Sequence, residues 1–262
     1  MNVKRAALIG HTGFVGSSLL RQAPFAATFN RANIASIGAG QWDLVVCAAP
    51  SAVKWRANRF PDEDRAHVGA LIEALGPIRC DRFVLISTVD VYPRPEGVDE
   101  GTAIDPADCM PYGRHRWELE QAVRTMFAER ALIVRLSQLF GPGLRKNFVY
   151  DLIWDNALHL VDHRSRLQFY DVQRLWHDVE RALAAGLDLL NIAAEPLSCD
   201  EIARESFGRH FDNEAAGGPV TYDMRSCRLG RIGIDAPYAM TRVEVLEGIR
   251  RFAADHQTEP PR

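Results

Sequence analysis

The sequence predicts an α/β fold built on a doubly wound parallel sheet, and three observations carry that prediction. Short apolar runs recur along the first half of the chain, continuous rather than alternating, as strands buried on both faces require. Helical patterns separate these runs, which is the signature of strand–helix–strand units. Directly after the first run stand three glycines spaced three apart, Gly10, Gly13 and Gly16, where a first strand would turn into a first helix.

The elements follow in order. "AALIG", 6–10, is a buried strand ending at glycine. A helix over 14–21 would face inward through Val15, Leu19 and Leu20, with Pro24 beyond its end. "ATFNR", 27–31, is a second strand, and "DLVVCAAP", 43–50, is a third, apolar and closed by proline. Residues 61–75 open with Pro61 and two acids and carry Val68, Leu71, Ile72 and Leu75 at helical spacing. "RFVLIST", 82–88, is a fourth strand, followed by a helix over 111–129 and a fifth strand, "ALIVRL", at 131–136. The second half is less regular. Helices are expected over 147–160 and 172–186, a strand over 188–193, and a helix over 198–208 that starts on a capping box of Ser198 and Glu201. "VTYDM" reads as a strand, 241–255 as an amphipathic helix with Val245, Ile249 and Phe252 inward, and the tail "QTEPPR" as loose chain.

Composition excludes several classes. The 262 residues are 47% hydrophobic and 25% charged, ordinary for a soluble globular protein, and suit one large α/β domain or a nucleotide-binding domain with a small appendage. A net charge of -3 without a basic block argues against nucleic acid as a partner. No apolar run nears the roughly 20 residues of a membrane helix, and the N-terminus lacks the pattern of a signal peptide. Five scattered cysteines without a C-x-x-C pair indicate reduced thiols and a cytoplasmic protein. His159 and His163 lie four apart with His177 later, but without the glutamate of H-E-x-x-H; no metal is expected. Phe148, Trp154 and Trp176 read as core rather than as a stacking platform.

Each glycine of the turn has a physical role. Gly10 permits the tight turn, Gly13 lets backbone N–H groups approach a pyrophosphate, and Gly16 lets helix pack on strand. The helix start presents partial positive charge to the phosphates, so Gly10, Thr12, Gly13, Phe14, Val15 and Gly16 form a candidate dinucleotide site. At the end of the second strand stand Asn30 and Arg31 with no acid nearby; an arginine there can pair with a 2′-phosphate, which favours NADP, with NAD as the alternative. Further along, "PYGRHRWELEQA" puts Tyr112 and Arg116 one helical turn apart on a shared face.

Taken together these stretches resemble the NAD(P)-dependent epimerase/dehydratase family of extended short-chain dehydrogenase/reductases, which have a Rossmann fold. The resemblance rests on G-x-x-G-x-x-G at 10–16, "DLVVCAAP", "LISTVDVYP" at 85–93, and "PYGRHRWELE" where the family has Y-x-x-x-K. It continues through "IVRLSQLFGPG" at 133–143 and "NIAAEPLSCDEIA" at 191–203. It implies that Tyr112 is the acid/base tyrosine and that Thr88, with Ser87 as stand-in, holds the reacting substrate oxygen. Arg116 stands where the family has lysine; its charge would bias the tyrosine, whose free pKa is near 10, downward and would touch the nicotinamide ribose. Arginine differs from lysine in shape and cannot release a proton. Asp90 is one carboxylate where the family's sugar dehydratases have an Asp-Glu pair, so it would act as a single base or orient a substrate hydroxyl, and full dehydration is not expected.

The resemblance also implies backbone contacts to the cofactor from Ala48, Ala49 and Pro50, and substrate contacts from Asp90, Arg145, Asn147 and Arg166. Gln168 stands before Phe169 in place of the family's arginine. The implied organisation is a dinucleotide-binding domain over 1–146, with 168–194 returning to it, and a small C-terminal substrate-binding cap over 147–167 and 195–262. This shortened form resembles the family's reductases. The implied function is oxidoreduction or epimerisation of a sugar or nucleotide-sugar hydroxyl or ketone, with a homodimer as the assembly. The alternative is a dinucleotide-binding sensor or scaffold without turnover, because Arg116 replaces the lysine.

Overall fold

The apolar runs become strands and the periodic segments helices, close to where local pattern puts them. The computed structural model describes residues 5–256; the tail read as loose, 257–262, lies outside the described residues. In chain order the elements are β1 (Ala6–Ile9), α1 (Phe14–Gln22), β2 (Ala27–Phe29), β3 (Gln41–Cys47), α2 (Lys54–Arg59), α3 (Pro61–Leu75), β4 (Arg79–Thr88), β5 (Glu96–Val98), α4 (Pro111–Phe127) and β6 (Ala131–Leu136). There follow β7 (Gln138–Phe140), α5 (Phe148–Trp154), β8 (Arg166–Leu167), β9 (Phe169–Asp171), α6 (Leu175–Ala184), β10 (Leu189–Ile192), β11 (Leu197–Ser198), α7 (Cys199–Phe207), β12 (Asp223–Met224) and α8 (Arg242–His256).

The chain divides into two compact units. The first runs up to Arg94 and includes Gly101–Arg135 and Gln173–Asn191; the second comprises Pro95–Glu100, Leu136–Val172 and the chain from Ile192 on. Against the expected bounds, 95–100 and 136–146 group with the second unit, as do 168–172 and 192–194.

The first unit is organised by a six-stranded parallel sheet in the order β10-β6-β4-β3-β1-β2. β1 pairs with β2 on one side and β3 on the other, so the strand order reverses there and the chain leaves β1 and β3 toward opposite neighbours. On one face Val68 and Leu75 of α3 and Leu119, Val123 and Phe127 of α4 bury against Val45, Phe83, Leu85 and Ile133. Phe83 and Phe127 stack with centroids 4.0 Å apart. α3 starts on Pro61, whose missing N–H costs nothing at a first helical position, and its first turn carries Asp62, Glu63 and Asp64. Leu20 is exposed, not inward as its spacing suggests, and Leu19 alone of that pair enters the core.

The second unit contains three strand pairs: β7 with β9 in parallel, β8 with β11 antiparallel, and β5 with β12 in parallel. Buried Gln168 ties them together, donating to the carbonyls of Ala194 at 2.7 Å and Met224 at 2.9 Å and accepting from Met224 N at 2.8 Å. Val245, Ile249 and Phe252 of α8 are buried as its periodicity predicts. The expected helix over 147–160 stops at Trp154, where Asp155 turns left-handed at φ 52°. Ser198 does precede α7, but its side chain makes no capping hydrogen bond, so the expected capping box is not formed. No helix among the described residues is long and apolar enough to cross a membrane.

Candidate active site

The glycine turn is built from close backbone packing at two of its three glycines. Gly10 has φ +87°, and a Cβ on it would lie 2.6 Å from the Ala48 carbonyl oxygen, where the loops after β1 and β3 abut. A Cβ on Gly16 would lie 2.1 Å from the Gly10 carbonyl oxygen, which is the tight seat of α1 on the turn. Gly13 is different. Its backbone is extended (φ -79°, ψ 168°) and its Cβ would meet only the Gly10 oxygen, at 3.5 Å. The fold therefore has room for a side chain at 13, and glycine there leaves a cradle at the start of a nine-residue helix. That is the shape and polarity a pyrophosphate requires, so the residues present fit a dinucleotide. Thr12 is exposed, Phe14 and Val15 are half-buried at the first turn of α1, and Ala48, Ala49 and Pro50 are half-buried beyond β3.

The turn is tied to the end of β2: Gly10 N donates to the Phe29 carbonyl at 2.8 Å, and His11 Nδ1 donates to the same oxygen at 3.1 Å. Asn30 folds the next loop, its side-chain oxygen accepting from Ala32 N at 2.9 Å while its own N–H donates to Asn33 Oδ1 at 2.7 Å. Arg31 sits exposed at that loop and makes no ion pair among the described residues.

The tyrosine cluster lies in the same unit. Tyr112 occupies the first turn of α4 and is buried. Gly113 explains its seat: a Cβ there would fall 1.9 Å from the Asp90 carbonyl oxygen, so α4 presses directly on the loop after β4. Its N-terminus is held by a residue that periodicity does not pick out, Asn58 of α2, whose Oδ1 accepts from Tyr112 N at 2.9 Å. Thr88 ends β4, and its hydroxyl acts on the Tyr112 phenol to lower it. Thr88 Oγ1 also accepts from Asp90 N at 3.2 Å and donates to Asp90 Oδ2 at 3.3 Å, while Lys54 Nζ, from α2, pairs with Asp90 Oδ1 at 2.6 Å.

Arg116 lies over the face of the Tyr112 ring, its guanidinium carbon 4.3 Å from the centroid. Its charge is committed to a partner the sequence did not suggest. Both terminal nitrogens reach the Asp64 carboxylate of α3, Nη1 to Oδ2 and Nη2 to Oδ1 at 3.0 Å, and Nη2 also donates to the Ser51 carbonyl at 2.5 Å. His115 Nδ1 donates to the same carboxylate at 2.8 Å. Burial works to raise the Asp64 carboxyl, but the bonds and charges of Arg116 and His115 outweigh it and hold it below the ordinary range.

Arg116 does bias the tyrosine downward, but the phenol as a whole lies above its ordinary value. Burial pushes the Tyr112 phenol up to about 12; Arg116 and Lys54 and the Thr88 bond pull it down, Asp90 pushes it up, and burial prevails. The Arg116 charge is the strongest downward pull on the phenol, and the cost of burying a phenolate still outweighs it. The Tyr112 phenol therefore keeps its proton at neutral pH. Ser87 also departs from its expected role, because its hydroxyl donates at 2.5 Å to Glu120 Oε1. That carboxylate is the buried two-pronged partner of Arg135, which in turn donates to Tyr92 Oη at 2.8 Å.

The three residues expected beyond Asp90 to contact substrate, Arg145, Asn147 and Arg166, belong to the second unit. Asn147 caps α5, accepting from Val149 N and Tyr150 N, and donates to the Leu139 carbonyl at 2.8 Å, so its amide is largely consumed by the fold. Arg166 is exposed on β8 and reaches the Pro196 carbonyl at 3.4 Å. Arg145 is exposed and makes no ion pair among the described residues. Burial pushes the Cys47 thiol up to about 12 and the Cys80 thiol up to about 11.

Comparison with known proteins agrees with this architecture. No curated protein matches the sequence. Among solved structures, the chain is similar to a dTDP-4-dehydrorhamnose reductase from Bacillus anthracis in complex with NADP (TM-score 0.74, 18% identity, 96% of this chain and 98% of that one). It is similar to a dTDP-4-dehydrorhamnose reductase from Yersinia enterocolitica (TM-score 0.73, 15% identity, 96% and 99%). A UDP-glucose 4-epimerase from Thermotoga maritima, solved with UDP-glucose, superimposes with a TM-score of 0.72 at 15% identity over 95% and 97%. At such identities these likenesses establish the Rossmann fold. The model of the NAD dependent epimerase/dehydratase family matches residues 6–162, more than half of the chain, and the protein belongs to that family.

Proposed function

We propose that the protein is an NAD(P)-dependent enzyme that reduces or epimerises a sugar or nucleotide sugar at a ketone or hydroxyl carbon. The observation that carries this reading is the buried Tyr112 phenol, acted on by Thr88 at the end of β4 in the unit that also holds the glycine cradle. Gly10 to Gly16 with the start of α1 would hold the pyrophosphate, and the backbone of Ala48, Ala49 and Pro50 would border the cofactor. Arg31, exposed and unpaired among the described residues, would take the 2′-phosphate of NADP; NAD is the alternative. The nicotinamide supplies hydride.

Tyr112, protonated at neutral pH, gives its proton to the substrate oxygen as a ketone becomes an alcohol, and Thr88 shares that oxygen. This favours reduction over alcohol oxidation. Asp90, bonded to Lys54 and Thr88, would also accept from a substrate hydroxyl, and exposed Arg145 would meet an anionic substrate group. The neighbours' substrates, dTDP-4-dehydrorhamnose and UDP-glucose, give the first compounds to try. A binding-only protein is the second reading, favoured by one observation: Arg116, at the position of the family's lysine, is bonded to Asp64.

The experiment is NADPH oxidation by the purified protein with dTDP-4-dehydrorhamnose, together with epimerisation of UDP-glucose and UDP-galactose, for wild type and Tyr112→Phe. Turnover that falls at least about 10²-fold in the variant, with NADPH affinity unchanged, supports the enzyme. Tight NADPH binding without turnover of any compound supports the sensor.

A further inference from the structure

The lysine missing from α4 has a counterpart elsewhere in the same unit. Arg116 pulls the phenol down by its charge, but it lies over the ring face and its N–H groups are bonded to Asp64 and the Ser51 carbonyl. A second cation reaches the tyrosine's neighbours by a hydrogen-bonded route. Lys54 Nζ bonds Asp90 Oδ1 at 2.6 Å, Asp90 Oδ2 receives the Thr88 hydroxyl at 3.3 Å, and both Thr88 and Lys54 act on the Tyr112 phenol to lower it. Lys54 comes from α2, Asp90 and Thr88 from the end of β4 and the loop after it, and Tyr112 from α4.

Resting on the reading of Tyr112 as the proton donor, we propose that Lys54 is its positioning residue, acting through Asp90 and Thr88. Thr88 has one hydroxyl proton and two claimants for it, the Asp90 carboxylate and the oxygen of Tyr112 once that group has lost its proton. With Lys54 holding the carboxylate, Asp90 does not need the Thr88 proton, and the hydroxyl is free to turn to the phenolate. The ammonium also offsets the carboxylate's charge, which would otherwise oppose a second negative charge at the phenol. The pairing is reinforced by placement: Asn58, one turn after Lys54 on α2, is the residue that caps Tyr112 N. The same short helix thus fixes both the backbone and the charge around the tyrosine.

The charged groups that act on the phenol are Arg116 of α4, Asp90 after β4 and Lys54 of α2. From α3, Asp64 is bonded to Arg116 and His115, and the acids of the segment before α4, Asp105 and Asp108, act on Cys109. Lys54 and Asp90 are therefore the pair whose removal isolates the effect.

The test is the Tyr112 phenolate fraction at pH 11, read from the 13Cζ resonance of labelled tyrosine and assigned with Tyr112→Phe. It is paired with the pH profile of kcat on whichever sugar substrate turns over. Lys54→Met should lower the phenolate fraction about three- to tenfold, and Asp90→Asn should raise it by a similar factor. Lys54→Arg and the Lys54→Met/Asp90→Asn double variant should return to within about twofold of wild type. A Lys54→Met protein with native circular dichroism and an unmoved phenolate fraction overturns the proposal, as does one altered in KM alone. Absence of turnover in every form, with the resonance pattern as expected, leaves the linkage standing and removes the enzymatic reading.

Discussion

Two glycines of the turn separate what the fold needs from what a cofactor needs, and alanine at each tells them apart. At Gly16 the new Cβ would lie 2.1 Å from the Gly10 carbonyl oxygen, a backbone atom that cannot rotate away. Helix and turn must shift, and overpacking of that kind costs about 1–3 kcal/mol. For a chain of this size that is a fall in Tm of about 3–10 °C. At Gly13 the Cβ meets one oxygen at 3.5 Å and the backbone is in a region open to any residue, so Gly13→Ala should unfold within about 3 °C of wild type. The same methyl group fills the cradle above α1. If a pyrophosphate lies there, the overlap of about 1–3 kcal/mol weakens NADPH binding about 5- to 150-fold. Differential scanning fluorimetry gives the first quantity and titration of NADPH fluorescence the second. A Gly13→Ala protein that binds NADPH as tightly as wild type would refute the assignment of the cradle.

Arg31→Ala should weaken NADPH binding by about tenfold or more, the worth of a charge-assisted bond to phosphate, and leave NADH binding unchanged. Equal losses for both would remove the 2′-phosphate contact. Asp64→Asn should destabilise the protein by up to about 3–5 kcal/mol in urea at pH 7, because it leaves Arg116 buried without a counter-charge. The Asp64 carboxyl lies below its ordinary value in the folded state, so its stabilisation is complete above the unfolded value. It fades as pH falls through the folded one; the gap between wild type and variant should narrow on acidification. A gap independent of pH would contradict that ion pair.

Much of this protein is written in local pattern. A strand buried on both faces must be apolar throughout, so β1, β3 and β4 stand out, and the turn between β1 and α1 can hold only glycine at Gly10 and Gly16. Tyr112 was legible because its place after "LISTVDVYP" and at the start of a periodic helix is a matter of order along the chain. Six-residue α2 escaped because it carries no amphipathic period long enough to register, yet it provides Lys54 and Asn58. Ser87 and Asn147 illustrate the opposite error: both are chemically apt, and both hydroxyl and amide are taken by Glu120 and by the first turn of α5.

The sequence by itself determined the alternation of strands and helices and the glycine turn between β1 and α1, because backbone sterics and side-chain periodicity act over a few residues. Only the tertiary structure decided the charge state around Tyr112. Asp64 reaches Arg116 across 52 positions and Lys54 reaches Asp90 across 36. Such pairings come from the packing of α2, α3 and α4 against one another beside the sheet, and the cost of burying a phenol is set by everything that closes over it. No spacing rule in the chain encodes either one.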